Sequence, residues 1–355
     1  MQRELGAGPI VLTTVFSVGL AAFMTGVLVG GRIADSIAPR RMAVVAAVGT
    51  VAGLLGSAAA SSVVVMVVAF GIVLGGTTGL GYATAVRVAG TFKTGRGLAL
   101  GLVVSAYAIG TAILAPVAAV LLATLGRSWT FALLAVALGL LLVVAAVLLP
   151  ARAATAPAAE AGPDDRQVPR GPIIALWLAF GLGSAPALAA FAHAGQLAGS
   201  TAAVAVAVTL LNVGNFVGRL AAGPASDRIG RRTTLHVNSA LLVVACIPLA
   251  VGVNGLLALV ALFLLGTQYG ALSTLTPAAV SDIVPRQRFG ALYGRVFTGW
   301  GIAGLLAPIA ASALAAVAGI GIVYVGFIII AAISWTCVAL YARSADGAAR
   351  PALSD

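Results

Sequence analysis

An arginine inside an apolar run is the residue of this chain best equipped for chemistry. Arg219 follows Asn212 and Asn215 at i, i+3 and i+7 in the stretch NVGNFVGRLAAG, the spacing of one helical face. A guanidinium stays charged and presents a planar fork of donors, which suits a carboxylate held bidentately. Such a charge near mid-membrane costs at least about 2.5–3.5 kcal/mol, so it tends to face a cavity and a partner. The alternative is a side chain that snorkels to the interface, since Arg219 stands four residues before Gly223. The same stripe 192 residues earlier reads Leu20, Phe23 and Val27, all apolar. The polar face therefore belongs to the second half alone.

Around it stand polar and aromatic residues that could line a small cavity. Tyr82 with Thr78, Tyr107 with Thr111, and Tyr269 with Ser273 are i, i+4 pairs. Tyrosine offers an apolar wall with a hydroxyl donor, although most intramembrane Tyr and Thr simply pack against neighbouring helices. Gln268 and Trp300 are candidates of the same kind, and His193, near the outer end of its span, reads as interfacial. No carboxylate falls inside a span: Glu4 is external, Asp35, Asp227 and Asp282 stand at helix ends, and the rest lie in a linker or tail. A proton relay through Asp or Glu is thus not expected, and exchange or facilitated anion movement fits better. Cys246 and Cys337 lie in apolar runs without metal spacing. No nucleophile triad, HExxH, Walker loop or dinucleotide fingerprint occurs in a usable context. The expectation is no enzyme, no cofactor and no metal.

A second polar cluster closes the Arg219 run: Gly223 ends it as a turn, then come Asp227, Arg228, Arg231 and Arg232. A degraded copy, GRIADSIAPRR, carries Asp35, Arg40 and Arg41, with the aspartates 192 residues apart. These charges can pair with neighbouring helix ends and latch one access state. A solvated loop that serves topology alone is the alternative.

The elements that must position these residues follow from composition. The chain is 61% hydrophobic and 8% charged, with mean hydropathy +1.13, against about 25% charged in a soluble protein. Apolar runs of bilayer-spanning length lie near 9–30, 42–60, 63–86, 97–124, 129–150, 172–194, 201–223, 233–253, 255–278, 290–317 and 319–341. Of 20 basic residues, 17 fall in the connections and helix ends after alternate spans and in the C-terminal tail. Only Arg3 and Arg127 face the other side, with Arg219 inside a span. The bias orients the protein with its C-terminus cytoplasmic in the inner (plasma) membrane. The net charge of +11 is therefore a topology signal, and no nucleic-acid partner is expected.

The organisation is a duplication. Leu114-Ala115-Pro116 recurs as Leu306-Ala307-Pro308 at offset 192, and Arg96-Gly97 answers Phe289-Gly290 at offset 193. Leu74-Gly75 with Gly79 answers Leu265-Gly266 with Gly270. Pro116 and Pro308 should bend their helices. Residues 1–150 form an N-terminal bundle of five helices, 151–171 a Pro/Ala-rich cytoplasmic linker, 172–342 a C-terminal bundle of six, and 343–355 a tail. The span at 172–194 has no counterpart after Met1, so the first helix of the N-terminal bundle is expected to be absent. A true eleven-span protein is the alternative.

The Gly-x-x-x-Asp-basic cluster between the second and third helices of each repeat resembles motif A of the major facilitator superfamily. Its copy at Gly223–Arg232 is the fuller one; at Gly31–Arg41, Ser36 and Ala38 replace a basic residue and a glycine. Gly79-Leu80-Gly81-Tyr82, Arg96–Gly101 with Ser105-Ala106-Tyr107, and Phe289–Gly294 with Thr298-Gly299-Trp300-Gly301 are similar to the oxalate:formate antiporter and monocarboxylate porter group. Glu4-Leu5-Gly6 ahead of Phe16-Ser17 is similar as well. The resemblance implies an all-α integral membrane protein with two pseudo-symmetric bundles and about 11 transmembrane helices, working as a monomer by alternating access. It further implies that Arg219 pairs with a substrate carboxylate. Asn215 stands where the monocarboxylate porters carry Asp, and Trp300 where the oxalate exchanger type carries a second cation. One cation suits a monoanion better than a dianion. The expected function is transport of a small organic anion across the lipid bilayer. Efflux of an amphipathic drug, or a transport-inactive membrane protein, are the alternatives.

Overall fold

The computed structural model describes residues 9–92, 94–151, 170–197 and 204–349. Glu4, most of the expected linker and the last residues of the tail lie outside them. Among the described residues there is no strand. The helices are α1 (Pro9–Ala34), α2 (Pro39–Ala58), α3 (Val63–Gly90), α4 (Arg96–Leu148), α5 (Arg170–Leu197), α6 (Val204–Ile229), α7 (Arg231–Ala250), α8 (Leu256–Ile283), α9 (Phe289–Ala318) and α10 (Ile320–Ala349). Ten described helices are long and apolar enough to cross a membrane. The fourth and fifth expected spans are the two arms of α4, which turns at Gly126 with φ 74°. Gly319, at φ 83°, makes the equivalent corner between α9 and α10 at offset 193. Only a residue without Cβ adopts that backbone freely.

One local expectation was wrong. Gly223 does not end its helix: α6 continues to Ile229, and the turn falls on Gly230 at φ 90°. Gly223 is needed for a different reason. A Cβ there would collide with the backbone of Gly97, so the glycine permits two chains to touch.

That use of glycine recurs throughout. Lipid tails are as apolar as leucine, so helices in a membrane associate through close packing, which small residues allow. In α6 and α8, Gly214 faces the Phe263 carbonyl, Gly218 that of Thr267, Gly266 that of Leu211 and Gly270 that of Asn215. In α1 and α3, Gly26 faces Gly76, Gly75 faces Gly19 and Gly79 faces Phe23. The pairs Gly79–Phe23 and Gly270–Asn215 are the same contact 191 and 192 residues apart. The duplication read in the sequence is thus a duplication of packing.

By contacts the chain divides into two compact units. The first comprises Met1–Val88, Gly110–Arg166 and Pro285–Arg295; the second comprises Ala89–Ile109, Gln167–Val284 and Val296–Asp355. Each unit therefore includes a short stretch from the other sequence half. Inside the first, the buried Arg127 at the α4 corner donates to the carbonyls of Ser57, Ala58 and Ala60 at the end of α2. Cationic donors at a helix C-terminus satisfy its orphan carbonyls. This explains why a basic residue stands on the side where the sequence carries so few. The face of α10 with Ser334, Cys337 and Tyr341 is buried, and Ser334 donates to the Ala179 carbonyl of α5. Its first-half equivalents Leu141 and Leu148 are exposed, and among the described residues α5 has no first-half counterpart.

The glycine contacts set a stability test. A side chain at Gly270 meets the Asn215 backbone, whereas one at Gly326 meets nothing within 4 Å. Gly270→Val should destabilise by about 3 kcal/mol or more through overpacking, and Gly326→Ala should be neutral. Thermal unfolding of the detergent-purified variants measures the difference.

Candidate functional site

Arg219 is 4% exposed and held within the second unit. The α6/α8 contact at Gly218 turns the next residue toward the start of α4. Its Nε donates to Asn215 Oδ1 at 2.7 Å and its Nη1 to the Val104 carbonyl at 2.9 Å. Its Cζ lies 5.8 Å from the ring centroids of both Tyr107 and Tyr269, inside the range of cation–π attraction. The guanidinium does not snorkel; it stays inside the protein. Thr274 donates to the backbone carbonyl of Arg219 at 3.1 Å and ties α8 to the same point.

The residues packed around Tyr269 are aromatic. Trp300 Nε1 donates to the Tyr269 hydroxyl at 2.8 Å, and Phe191 meets the Tyr269 ring edge-on at 6.5 Å. Tyr269 is buried and Tyr107 is half exposed. Amide, carbonyl and two ring faces surround the cation with neutral partners, and two of its five N–H donors go to Asn215 and Val104. The arrangement can bind an anion, with Tyr107 on its accessible side.

The structure brings Arg219, Asn215, Tyr107, Tyr269 and Trp300 together. Asn212, one turn away, donates to its own Val208 carbonyl at 2.9 Å. Gln268 is buried beside Gly183 of α5, with its Oε1 unpartnered in the described structure. Tyr82 belongs to the first unit, where its hydroxyl meets that of Tyr293 at 3.3 Å and its ring packs on Phe23. Thr78 and Ser273 bond to carbonyls of their own helices, and the Thr111 side chain lies outside the described residues. His193 lies near the end of α5, and its side chain is buried.

The motif-A aspartates sit on helix N-termini. Asp35 accepts from the amides of Gly290 and Ala291 at 3.0 and 2.8 Å, in the first turn of α9. Asp227 accepts from Gly97 and Leu98, both at 3.3 Å, in the first turn of α4. A carboxylate at this place satisfies orphan amides and meets the positive end of the helix dipole. Both approaches require the glycine, since a Cβ at Gly290 or Gly97 would strike the carboxylate. Their cations differ. Asp35 pairs with the buried Arg87 at 3.0 Å, whereas Asp227 pairs with Arg231 at 3.5 Å, and Arg231 reaches Asp282 at 3.1 Å. Arg96 joins Asp282 at 3.2 Å. Arg40 donates to the Val147 and Leu149 carbonyls at the end of α4. Arg41 and Arg228 are exposed, and Arg232 is half-buried.

Sequence reasoning missed Arg87, Arg96 and Asp282 as partners. A sole Arg immediately after an apolar run was the available signal for Arg87. Val104 could not have been found, because it contributes a backbone carbonyl.

Stacked apolar helices, a duplicated half and a buried polar site define a multi-pass membrane transporter, and comparison with known proteins agrees. The family model of the Major Facilitator Superfamily matches residues 1–185 and 173–353. The chain belongs to that superfamily. Its fold is similar to the proton:xylose symporter XylE, with TM-score 0.75 and 16% identity over 92% of this chain and 85% of that one. The human organic anion transporter MFSD10 (TETRAN) gives 0.71 and 16% over 92% and 84%. The E. coli fucose:proton symporter FucP gives 0.71 and 14% over 94% and 92%. No curated protein matches at the level of sequence.

The two aspartates should not be worth the same. Asp35→Ala strands the buried Arg87 charge and should cost about 3–5 kcal/mol. Asp227→Ala releases longer bonds from a more exposed carboxylate, and Arg231 keeps Asp282, so about 1–2 kcal/mol is expected. Melting temperatures of the two variants should fall in that order.

Proposed function

We propose that this chain is a secondary active transporter that moves a small organic monocarboxylate across the plasma membrane by alternating access. Arg219 is the group that holds the anion. The observation that carries this reading is a buried guanidinium in a membrane span whose contacts are all neutral: the Asn215 amide, the Val104 carbonyl and the Tyr107 and Tyr269 rings. Asn215 and Val104 fix the plane of the fork, so part of the orientation entropy of binding is removed in advance. A carboxylate supplies the missing negative charge and a bidentate acceptor.

Trp300 bonds to Tyr269 where a second cation would otherwise stand, which supports a monoanion over a dianion. In the transport cycle the bundles at 1–150 and 172–342 give the anion access to each side of the membrane in turn. Asp35 and Asp227, with Arg40, Arg41, Arg228, Arg231 and Arg232, lie at the arginine-rich, cytoplasmic end. There the helix-end bonds of the aspartates form in one access state and release in the other. The protein acts as a monomer. One fold relative carries organic anions by name and two are sugar:proton symporters. The fold thus serves either class, and the reading rests on Arg219.

A cavity of about 360 Å³ in the second unit, lined by Trp177, Ile302, Leu306, Phe327 and other apolar residues, favours a second reading, efflux of an amphipathic solute. The two separate on Arg219. Uptake of radiolabelled lactate into proteoliposomes should be competed by other monocarboxylates and fall at least about tenfold in Arg219→Ala, the loss expected for a charged hydrogen-bond pair. Arg219→Lys should restore only part of it, because an ammonium lacks the fork. Unchanged uptake in Arg219→Ala, or tighter binding of oxalate than of lactate, would sink the monocarboxylate reading.

A further inference from the structure

The apolar cavity of the second unit runs along α9. Its lining there extends from Gly299 to Leu314, fifteen positions or about 22 Å of helix, against roughly 30 Å for the hydrocarbon core of a bilayer. At one end α5 closes it with Trp177 and Gly181. Toward the other, α10 returns past it from the Gly319 corner with Gly326 and Phe327. Two contacts fasten α9 to α5: a Cβ at Gly181 would meet the Gly299 carbonyl, and Ser312 Oγ lies 3.0 Å from His193 Nε2. Between them stands Pro308, whose ring crowds the carbonyl one turn back and bends its helix. The groove lies along the stretch where that bend falls.

Among the described residues that line it, every side chain but one is hydrocarbon or glycine. The exception is Trp177, and its Nε1 already donates to Thr298 Oγ1 at 2.9 Å. The helical backbone behind the lining satisfies its own amides and carbonyls. Water, which needs two to four polar partners, gains nothing in such a space. A solute with a polar group would find no partner for it and would lose that group's hydration. What fits is a hydrocarbon.

Ile302 and Leu306 line the groove and are exposed, as are Ile322, Val325 and Ile329 along the adjoining α10. On a bilayer-spanning helix such side chains meet acyl chains, so the groove opens on the phase that supplies its occupant. A glycine marks its wall. Gly321 lets α10 approach the Ala250 carbonyl, and Gly181 and Gly299 join α5 to α9, whereas a Cβ at Gly326 would meet nothing within 4 Å. Gly326 therefore brings no helices together; its missing side chain deepens the groove.

We propose that this groove is a binding site for one acyl chain of a bilayer phospholipid. Gly299 is ten positions into α9 and Leu314 four from its end, so the chain comes from the leaflet opposite the arginine-rich end. The walls are preformed, and the chain brings the dispersion contacts that a void forfeits. With no polar atom free in the lining, the site reads chain length and leaves the headgroup unread. The bound chain also braces α9. Trp300, next to Gly299, bonds to Tyr269, whose ring faces Arg219, so the brace steadies one wall of the anion site. That link rests on the anion reading of Arg219; the acyl site does not.

Phosphatidylcholine carrying a diazirine in the middle of one acyl chain, reconstituted with the protein in nanodiscs, tests the site. Photolysis and peptide mapping should place label on groove residues such as Leu306 and Phe327 at least fivefold above the exposed α10 face at Ile329 and Ile333. Gly326→Leu and Ala307→Leu fill the groove from different helices, and each should cut the groove label at least fivefold at an unchanged melting temperature. Phosphatidylglycerol with the same chains should label equally. Label spread evenly over groove and surface, undiminished label in both variants, or a fivefold headgroup preference overturns the acyl site. Displacement of the label by tetraphenylphosphonium, together with its transport, gives the cavity to an efflux substrate and overturns the site as well. In proteoliposomes, lactate uptake by wild type should differ at least threefold between dimyristoyl- and dioleoyl-phosphatidylcholine, and Gly326→Leu should remove the difference. An equal dependence in Gly326→Leu overturns the brace. Absence of lactate flux in wild type fells the anion reading and with it the link to Arg219, while the labelling still decides the acyl site.

Discussion

A carbonyl oxygen against a glycine is the contact on which the rest of this molecule depends. Between helices in lipid there is no water to expel, so attraction must come from backbones brought close enough for dispersion and weak polar contacts. Gly218 and Gly270 bring α6 and α8 to that distance, and Gly79 and Gly26 do so for α1 and α3. The residues beside those glycines then have fixed directions. Arg219 follows Gly218, and Tyr269 precedes Gly270, which is why a cation and a ring separated by fifty positions come within 5.8 Å. The site is a by-product of how tightly its walls are joined.

The same logic governs the charges. Each motif-A aspartate reaches a helix N-terminus only because a glycine there leaves room, and each finds two amides that would otherwise be orphaned. The two copies then diverge. Asp35 is sealed with a buried arginine, whereas Asp227 belongs to an open cluster with Arg231, Asp282 and Arg96. Duplicated geometry has thus been given unequal electrostatics. Screening by salt acts on partly exposed pairs far more than on buried ones, so the second cluster is the one that ionic strength can loosen.

Much of this was legible in the sequence. Apolar run lengths and matched islands at an offset near 192 specify the helices, because the bilayer fixes how long a span must be. Periodicity put Arg219 and Asn215 on one face, and the structure joins them by a hydrogen bond. The Gly223 turn was misread because glycine has two uses, and only tertiary contact distinguishes a bend from a close approach. Arg87 and Arg127 were passed over as topology signals, yet both are buried and bonded. Their partners, a distant aspartate and the carbonyls closing another helix, leave no mark at any fixed spacing. Depth along a span likewise says nothing about which neighbour covers a side chain, so the burial of His193 left no mark in the sequence.

The exchange of Ala89–Ile109 and Pro285–Arg295 between the two units has a consequence for how such a chain is built. The sequence is a tandem copy, but each compact unit draws on both copies. A polypeptide severed in the loop between the copies would leave each fragment without the helix start to which its motif-A aspartate bonds. Each motif-A aspartate thus completes its bonds only in a chain that carries both copies.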